Sequence, residues 1–247
     1  MAKSGERTYF KKIGEDGVNF TLGKPFTDPQ NIGSLLSDIA AVFTLLPSPP
    51  ATIIDLGCGS GWTSNFYARA GYDVVGVDIS KDAVEAAKKQ FTNPSLLLDY
   101  VCKDYDRLSY KDMFDAAVFF DSLHHAEDEV AALKAAYKAL KPGGVVILCE
   151  PGVGHSKSPS SIEAVEKYGV NERDMPPALS RKGLRAAGFV DIKTFAYPAM
   201  IHRSLYKSFD GKLSRAKNSR LVRTLYASGL QTALRGRHGI VVARKSE

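Results

Sequence analysis

Gly57, Gly59 and Gly61 alternate with Cys58 and Ser60 directly after the apolar run Ile53-Ile54-Asp55-Leu56. Glycine accepts the positive φ of a tight turn and, lacking a Cβ, lets a ligand approach the backbone closely. A helix opening at Trp62 would aim its first N–H groups at a ligand carboxylate or other polar group. The dinucleotide pattern G-x-G-x-x-G/A needs a third small residue. Counted from Gly57 and Gly59 that position is Trp62, and counted from Gly59 and Gly61 it is Ser64. Neither fits well, and Asp55, two residues before the first glycine, suits a cationic amino group better than a pyrophosphate. Asp78 ends a second apolar run, Val74 to Val77, where one carboxylate can accept from two vicinal hydroxyls. Each acid has a plainer alternative, since Asp55 could cap a turn and Asp78 the helix that follows.

A second reactive group is Asp121-Ser122-Leu123-His124-His125. Imidazole changes charge near neutral pH, so either histidine could serve as a general base, with His125 slightly preferred. Glu150 and then His155 are the next candidates, and a shaping or capping role is the simpler reading of each. The spacing His124-x-x-Glu127 is too little to propose a metal, and none is expected.

These residues need a frame. Asp28 is placed to cap a helix in which Ile32, Leu35, Leu36, Ile39 and Phe43 recur at helical spacing, ended by Pro47, Pro49 and Pro50. Strand-like runs then alternate with helices. Strands are expected at 52–56, 73–77, 96–102, 116–120 and 145–149. Helices are expected from Trp62, from Lys81 and over 129–140. Runs apolar on both faces and separated by helices argue a parallel sheet covered on both sides. A Ser-rich loop, Ser156–Ser161, follows. Ser180 is placed to cap a helix ending at Gly188, and 190–195 and 239–244 read as the last strands.

In this order the elements resemble the class I S-adenosylmethionine-dependent methyltransferases, in particular the branch with small-molecule acceptors. Asp55-Leu56-Gly57-Cys58-Gly59-Ser60-Gly61 resembles that family's first motif and Val74-Val75-Gly76-Val77-Asp78-Ile79-Ser80 its second. Lys103-Asp104-Tyr105, Phe114-Asp115-Ala116-Ala117-Val118, Leu140-Lys141-Pro142-Gly143-Gly144-Val145 and the Gly188-Phe189 turn resemble later core signatures, and the likeness runs from about Asp28 to Pro198 plus the closing strand. The resemblance implies an α/β, Rossmann-like, doubly wound sheet of about seven strands in three α/β/α layers. Most strands would be parallel, the last antiparallel. It implies S-adenosylmethionine as cofactor and S-adenosylhomocysteine as product. The glycine loop, Cys58 included, would hold the methionine part, Asp78 the ribose hydroxyls, Ile79 one side of the adenine, and Asp104 the adenine amine with Tyr105 beside it. Strand carboxyl ends face the ligand crevice in such folds, which puts Asp121 near the methionine end. The Asn/Asp-Pro-Pro-aromatic signature of the amino-methylating nucleic-acid branch is absent after 120.

The function this implies is O-methylation, by in-line displacement, of a small or carrier-linked metabolite, with a sugar hydroxyl as the leading guess. An RNA methyltransferase and a cofactor-binding regulatory module without turnover are the alternatives. The 247 residues suit one domain, divided into a leader or lid over 1–27, a core over 28–197 and 238–247, and a basic helical insert over 198–237. Between Met200 and Arg237 nine Lys or Arg face only Asp210, whereas the rest of the chain is close to neutral. An anionic, nucleotide-linked or lipid-linked acceptor, the last at a membrane surface, would use that segment. RNA ranks last, because no RNA-binding module is recognisable. Leader aromatics Tyr9, Phe10, Phe20 and Phe26 fit either a lid or ordinary packing. Cys58, Cys102 and Cys149 read as small buried thiols in a reducing compartment. The polar, basic N-terminus has no apolar signal core, so the chain is expected to be cytoplasmic.

Overall fold

A computed structural model describes residues 2–196, 198 and 238–247. The leader forms α1 (Ala2–Lys12) and α2 (Gly14–Leu22), followed by α3 (Ile32–Leu45). The core continues as β1 (Thr52–Leu56), α4 (Trp62–Arg69), β2 (Asp73–Asp78), α5 (Lys81–Gln90), β3 (Leu98–Cys102), β4 (Phe114–Phe120), α6 (Glu129–Ala139) and β5 (Leu140–Cys149). Then come α7 (Pro159–Tyr168), α8 (Pro177–Ala187), β6 (Val190–Ala196) and β7 (Gly239–Arg244). The seven strands lie in the order β3-β2-β1-β4-β5-β7-β6. Strands β1 to β5 pair in parallel, and β7 runs antiparallel to both neighbours, as expected.

Alternation along the strands explains the two covering layers. Ile53, Ala116, Val118 and Ile147 face Ile39, Val42 and Tyr67 of α3 and α4. Ile54, Ala117, Phe119 and Val146 face Leu133 and Ala136 of α6 and Leu184 of α8. Successive strand residues point to opposite faces, so apolar runs without alternation fill both cores.

Helix starts depend on local chemistry, and several differ from expectation. Ser80 caps α5 by accepting from Ala83 N–H, and Asp128 caps α6 by accepting from Val130 and Ala131 N–H. Asp28 does not cap α3: its Oδ1 accepts from Asn31 N–H at 3.2 Å in the turn before it, and Asn31 is the cap residue. The Ser-rich stretch is not one loop, because Ser158 accepts from Ser161 N–H and Pro159 opens α7, which Gly169 closes in a left-handed conformation. Ser180 is buried inside α8, which starts three residues earlier at Pro177, a position where a missing N–H costs nothing. Strand β3 starts at Leu98 rather than 96, while β4 and β5 extend back to Phe114 and Leu140. Cys102, at the end of edge strand β3, is exposed; Cys58 and Cys149 are buried. The expected basic insert lies outside the described residues, Pro198 apart.

Asp115 anchors the foot of the sheet. It accepts from Thr52 N–H and Thr52 Oγ1, each at 2.8 Å, and pairs with Lys141 at 2.8 Å. Partial burial pushes its carboxyl up, but Lys141 and Thr52 outweigh this and hold it below the usual carboxylate range. The stabilisation is therefore complete above the unfolded value of about 3.9 and is lost as pH falls through the lowered folded value. Asp115→Asn should cost no more than about 1 kcal/mol at neutral pH, since the pair is solvent-screened. It should also flatten the acid side of a stability-against-pH curve from urea melts.

Candidate cofactor and acceptor site

A cavity of about 310 Å³ opens at the carboxyl ends of the parallel strands, within the size range of small-molecule sites. Its wall takes Gly57, Cys58 and Gly59 from the turn after β1, Asp78 and Ile79 from the end of β2, and Asp104 and Tyr105 from the segment after β3. The turn after β4 adds Asp121, Ser122 and His125. Nine of the residues singled out in the sequence line this wall and Gly61 lies in the turn behind it, whereas Asp55, His124, Glu150 and His155 are not on it.

The three glycines do different work. All have positive φ: 76°, 53° and 82° for Gly57, Gly59 and Gly61. A Cβ on Gly57 would lie 2.5 Å from the Ser122 Cβ, and one on Gly61 would lie 2.5 Å from the Tyr100 ring. Those two let the turn nest between neighbouring strands. Gly59 faces the cavity instead, its nearest potential neighbour being the Phe10 ring at 3.8 Å. Gly61→Ala should therefore cost about 2–3 kcal/mol, from left-handed strain plus the clash with Tyr100. A chemical denaturation midpoint matching wild type would show that the turn is looser than this.

Asp55 is 1% exposed, and its Oδ2 accepts from Thr63 Oγ1 at 2.7 Å and Ser64 Oγ at 2.6 Å. It therefore ties the first turn of α4 to β1 and does not reach the cavity wall, contrary to the amino-group role expected for it. Burial pushes its carboxyl up to about 6, against the pull of the two hydroxyls. Helix α4 has no side-chain cap at Gly61, and its first residues, Trp62 and Thr63, line the cavity.

Asp78 accepts from Gly59 N–H through Oδ2 and from Ser80 N–H through Oδ1, both at 2.8 Å. Desolvation pushes its carboxyl up, and these two N–H groups partly offset that. Each of its oxygens keeps a lone pair for a ligand hydroxyl. Asp104 is 8% exposed and already holds the Lys3 ammonium at 2.7 Å. Tyr105 donates its hydroxyl to Ser122 O at 3.3 Å.

The turn after β4 is rigidly built. Asp121 has φ 54°, a costly value for a non-glycine residue, and its N–H donates to Cys149 O at 2.9 Å. Ser122 Oγ donates to Leu56 O at 2.6 Å. Glu150 is 2% exposed: its Oε1 accepts from Ser122 and Leu123 N–H at 3.1 and 2.8 Å. Its Oε2 accepts from His124 N–H at 3.2 Å and meets His124 Nδ1 at 2.8 Å. Glu150 thus shapes the turn and is not itself on the wall.

The paired histidines part ways. His124 is buried between Glu150 and Glu172, whose Oε2 lies 3.5 Å from His124 Nε2. Burial works against charge on His124, but the two glutamates overcome it and push the imidazole up to about 10. An imidazole that keeps its proton and does not face the cavity is a poor general base, so the structure argues against that role for His124. His125 is on the wall, and its Nδ1 makes no hydrogen bond, the Glu6 carboxylate lying 3.3 Å away. His155 pairs through Nε2 with Glu172 Oε2 at 2.6 Å.

Sequence reasoning missed Glu172 and most of α1. Lys3, Glu6 and Phe10 lie on one face of α1 by helical spacing and all line the cavity. Tyr9 lines it too, whereas Phe20 and Phe26 are exposed. Ser60 Oγ donates to Thr21 O at 2.9 Å, joining the glycine turn to α2. No local pattern could have announced these contacts, because each joins segments far apart in the chain.

Residues 54–148 match the family model described as a methyltransferase domain. The chain is 32% identical over 102 residues to a ubiquinone biosynthesis O-methyltransferase of Xanthomonas campestris pv. campestris (strain B100), a match covering 40% of this chain and 43% of that protein. The match thus spans less than half the length of that curated relative. Among solved structures, Haemonchus contortus phosphoethanolamine N-methyltransferase 2, in complex with phosphomonomethylethanolamine and S-adenosylhomocysteine, has a TM-score of 0.68 at 22% identity, over 98% of this chain and 60% of that one. An S-adenosylmethionine-dependent methyltransferase from Mesorhizobium loti has a TM-score of 0.59 at 21% identity, over 83% and 96% of the two chains. Both are likenesses of fold. Among the described residues no helix is long and apolar enough to cross a membrane.

Proposed function

We propose that the chain, whose residues 54–148 match the methyltransferase-domain model, is a class I S-adenosylmethionine-dependent methyltransferase that transfers a methyl group from that cofactor to the oxygen of a small acceptor. The observation that carries this reading is one cavity lined together by the Gly59 turn, Asp78 and His125. The wall fits the cofactor: Gly59 leaves the turn open to the ligand, and Asp78 retains lone pairs for two ribose hydroxyls. Asp104 and Ile79 flank the place for the adenine. Cys58 and Gly57 flank the place for the methionine, and Asp121 sits at that end.

When bound, the cofactor supplies an electrophilic methyl group on a sulfonium. The chain's part is alignment and proton removal. The rigid turn after β4 would hold the acceptor hydroxyl beside the place for the cofactor's methyl group, and His125 would take the hydroxyl proton. Glu6, close to His125 Nδ1, orients the ring. Helix α1 covers the cavity through Lys3, Glu6, Tyr9 and Phe10, which excludes water from the reacting end.

The described wall also indicates the acceptor's charge. Besides Asp78 and Asp104 it carries Glu6, Asp121, Glu127, Asp128 and Glu172, against Lys3 and Lys24. Such a wall favours a neutral hydroxyl compound over an anionic one. The anionic acceptor expected from the sequence depends on 198–237, outside the described residues.

The test is incubation of the purified chain with methyl-labelled cofactor and fractionated small metabolites, followed by identification of the labelled product. Label on a hydroxyl oxygen supports the reading, and label on nitrogen or in RNA contradicts it. With that acceptor, His125→Ala should lower kcat by about 100-fold while leaving the cofactor Kd within a few-fold of wild type. An unchanged kcat would remove His125 from the chemistry.

A further inference from the structure

Two groups beside the cavity have no part in the methyl transfer just described: Glu172 and His155. With His124 and His125 they form one cluster, assembled from the turn after β4, the turn after β5 and the segment between α7 and α8. One donor atom each from His124, His125 and Glu172 lie within 4.8 Å of one another. The same Glu172 oxygen is 3.5 Å from His124 Nε2 and 2.6 Å from His155 Nε2. Tetrahedral nitrogen and oxygen ligands with bonds of about 2.0–2.2 Å stand roughly 3.3 Å apart, so small side-chain rotations would bring this set to ligand spacing.

The cluster is supported as ligand sets are. Glu150 Oε2 holds His124 Nδ1 at 2.8 Å, which turns Nε2 toward Glu172. A carboxylate on the far nitrogen of an imidazole is the usual support of a metal-bound histidine. Residues flanking Glu172 are clamped onto the histidine turn. Asn171 Nδ2 donates to the carbonyls of His124, His125 and Ala126, while Arg173 Nε donates to His124 O and its NH2 group to Ala126 O. These side-chain donors on backbone carbonyls fix the segment carrying Glu172 against the histidine turn.

The plain alternative is a network of ion pairs. Two buried carboxylates, Glu150 at 2% and Glu172 at 12% exposure, converge on the His124 ring, and ion pairing leaves the buried His125 Nδ1 without a hydrogen-bond partner in the same place.

We propose that His124, His125 and Glu172, with His155 beside them, bind a divalent transition-metal ion of the zinc type at the acceptor end of the cavity. Imidazole nitrogens with one carboxylate suit such an ion, whereas magnesium and calcium take oxygen ligands. His125 and Glu172 lie on the cavity wall, so an ion held by them would border the space left for the acceptor. The use of the ion, though not its binding, rests on the methyl-transfer reading. An acceptor hydroxyl on the ion loses its proton to water more readily. Its oxygen then bonds to the methyl carbon as the methyl–sulfur bond breaks, leaving the neutral thioether. With the ion bound, His125 is its ligand, and the ion takes over the activation of the hydroxyl that the metal-free reading above gives to His125.

The experiment uses untagged full chain stripped with a chelator and titrated with Co2+, followed by visible absorption and by metal content after dialysis. The expected result is one Co2+ per chain with the intense bands of a low-symmetry nitrogen and oxygen site, displaced by Zn2+. Affinity should fall at least about tenfold in Glu172→Gln. No saturable spectrum and no retained metal in the wild-type chain would overturn the proposal, as would a folded Glu172→Gln that binds Co2+ as tightly as wild type. Should Glu172→Gln fail to fold by circular dichroism, His125→Gln takes its place with the same expected loss. A parallel calorimetric titration with S-adenosylhomocysteine separates the two readings. Co2+ binding without nucleoside binding supports the metal site and removes methyl transfer; the reverse removes the metal site alone.

Discussion

Glu150→Ala should lose about 3–5 kcal/mol of folding stability, the range for removing one partner of a buried charged pair. The carboxylate accepts from three backbone N–H groups, those of Ser122, Leu123 and His124, and from the His124 ring, all buried. Without it these donors point at one another's former acceptor with no protein group to replace it, and each unmet donor costs about 1–3 kcal/mol before relaxation. The loss should also reach function, because the same turn carries His125 and Asp121 on the cavity wall. Glu150→Gln keeps the shape and one accepting oxygen, so it should fall between wild type and alanine. Urea unfolding measures this directly. A loss below about 1 kcal/mol for the alanine variant would mean that the turn is held by Ser122 and Asn171 and not by Glu150.

Asp78→Ala should weaken cofactor binding by about 100- to 10,000-fold. Two hydrogen bonds to a charged group, each worth about 1.5–3 kcal/mol, set that range. Asp78 also fixes Gly59 N–H at 2.8 Å, so the variant loosens the turn that faces the ligand, and both effects act in one direction. Asp78→Asn separates them: its amide oxygen can still accept from Gly59 N–H, while its NH2 group cannot accept from a ribose hydroxyl. Calorimetric titration with S-adenosylhomocysteine should therefore rank wild type, asparagine and alanine in descending affinity. Unchanged affinity in folded Asp78→Ala would remove the ribose assignment.

Local chemistry made much of this legible. The glycine turn, Asp78, and the five parallel strands announce themselves because backbone turn geometry and two-sided burial leave marks within a few residues. Boundaries slipped where two local signals competed. Ser180 is a good cap residue by type, but α8 opens at Pro177 with Pro176 as its cap residue, and Ser180 falls on the buried face of the helix. Asp28 and Asn31 are equally good cap residues, three positions apart in one turn.

The acceptor end was far less legible. The wall residues Lys3, Glu6 and Glu172 come from segments separated from the histidine turn by many tens of residues, and nothing local links them. His124 and His125 look interchangeable in sequence. Their difference arises from Glu150, which holds the His124 ring at 2.8 Å, and Glu6, which lies 3.3 Å from the His125 ring. Asp55 has the right distance from the glycines for a ligand role, yet Thr63 and Ser64 in the first turn of α4 claim its outward oxygen.

The most direct measurement is a crystal structure of the chain with S-adenosylhomocysteine. The ribose hydroxyls are expected on Asp78, the adenine between Ile79 and Asp104 with Lys3 displaced or shared, and the thioether sulfur pointing toward His125. Nucleoside lodged outside the Gly57–Gly61 turn, or a nicotinamide dinucleotide binding there in its place, would contradict the assignment of this cavity.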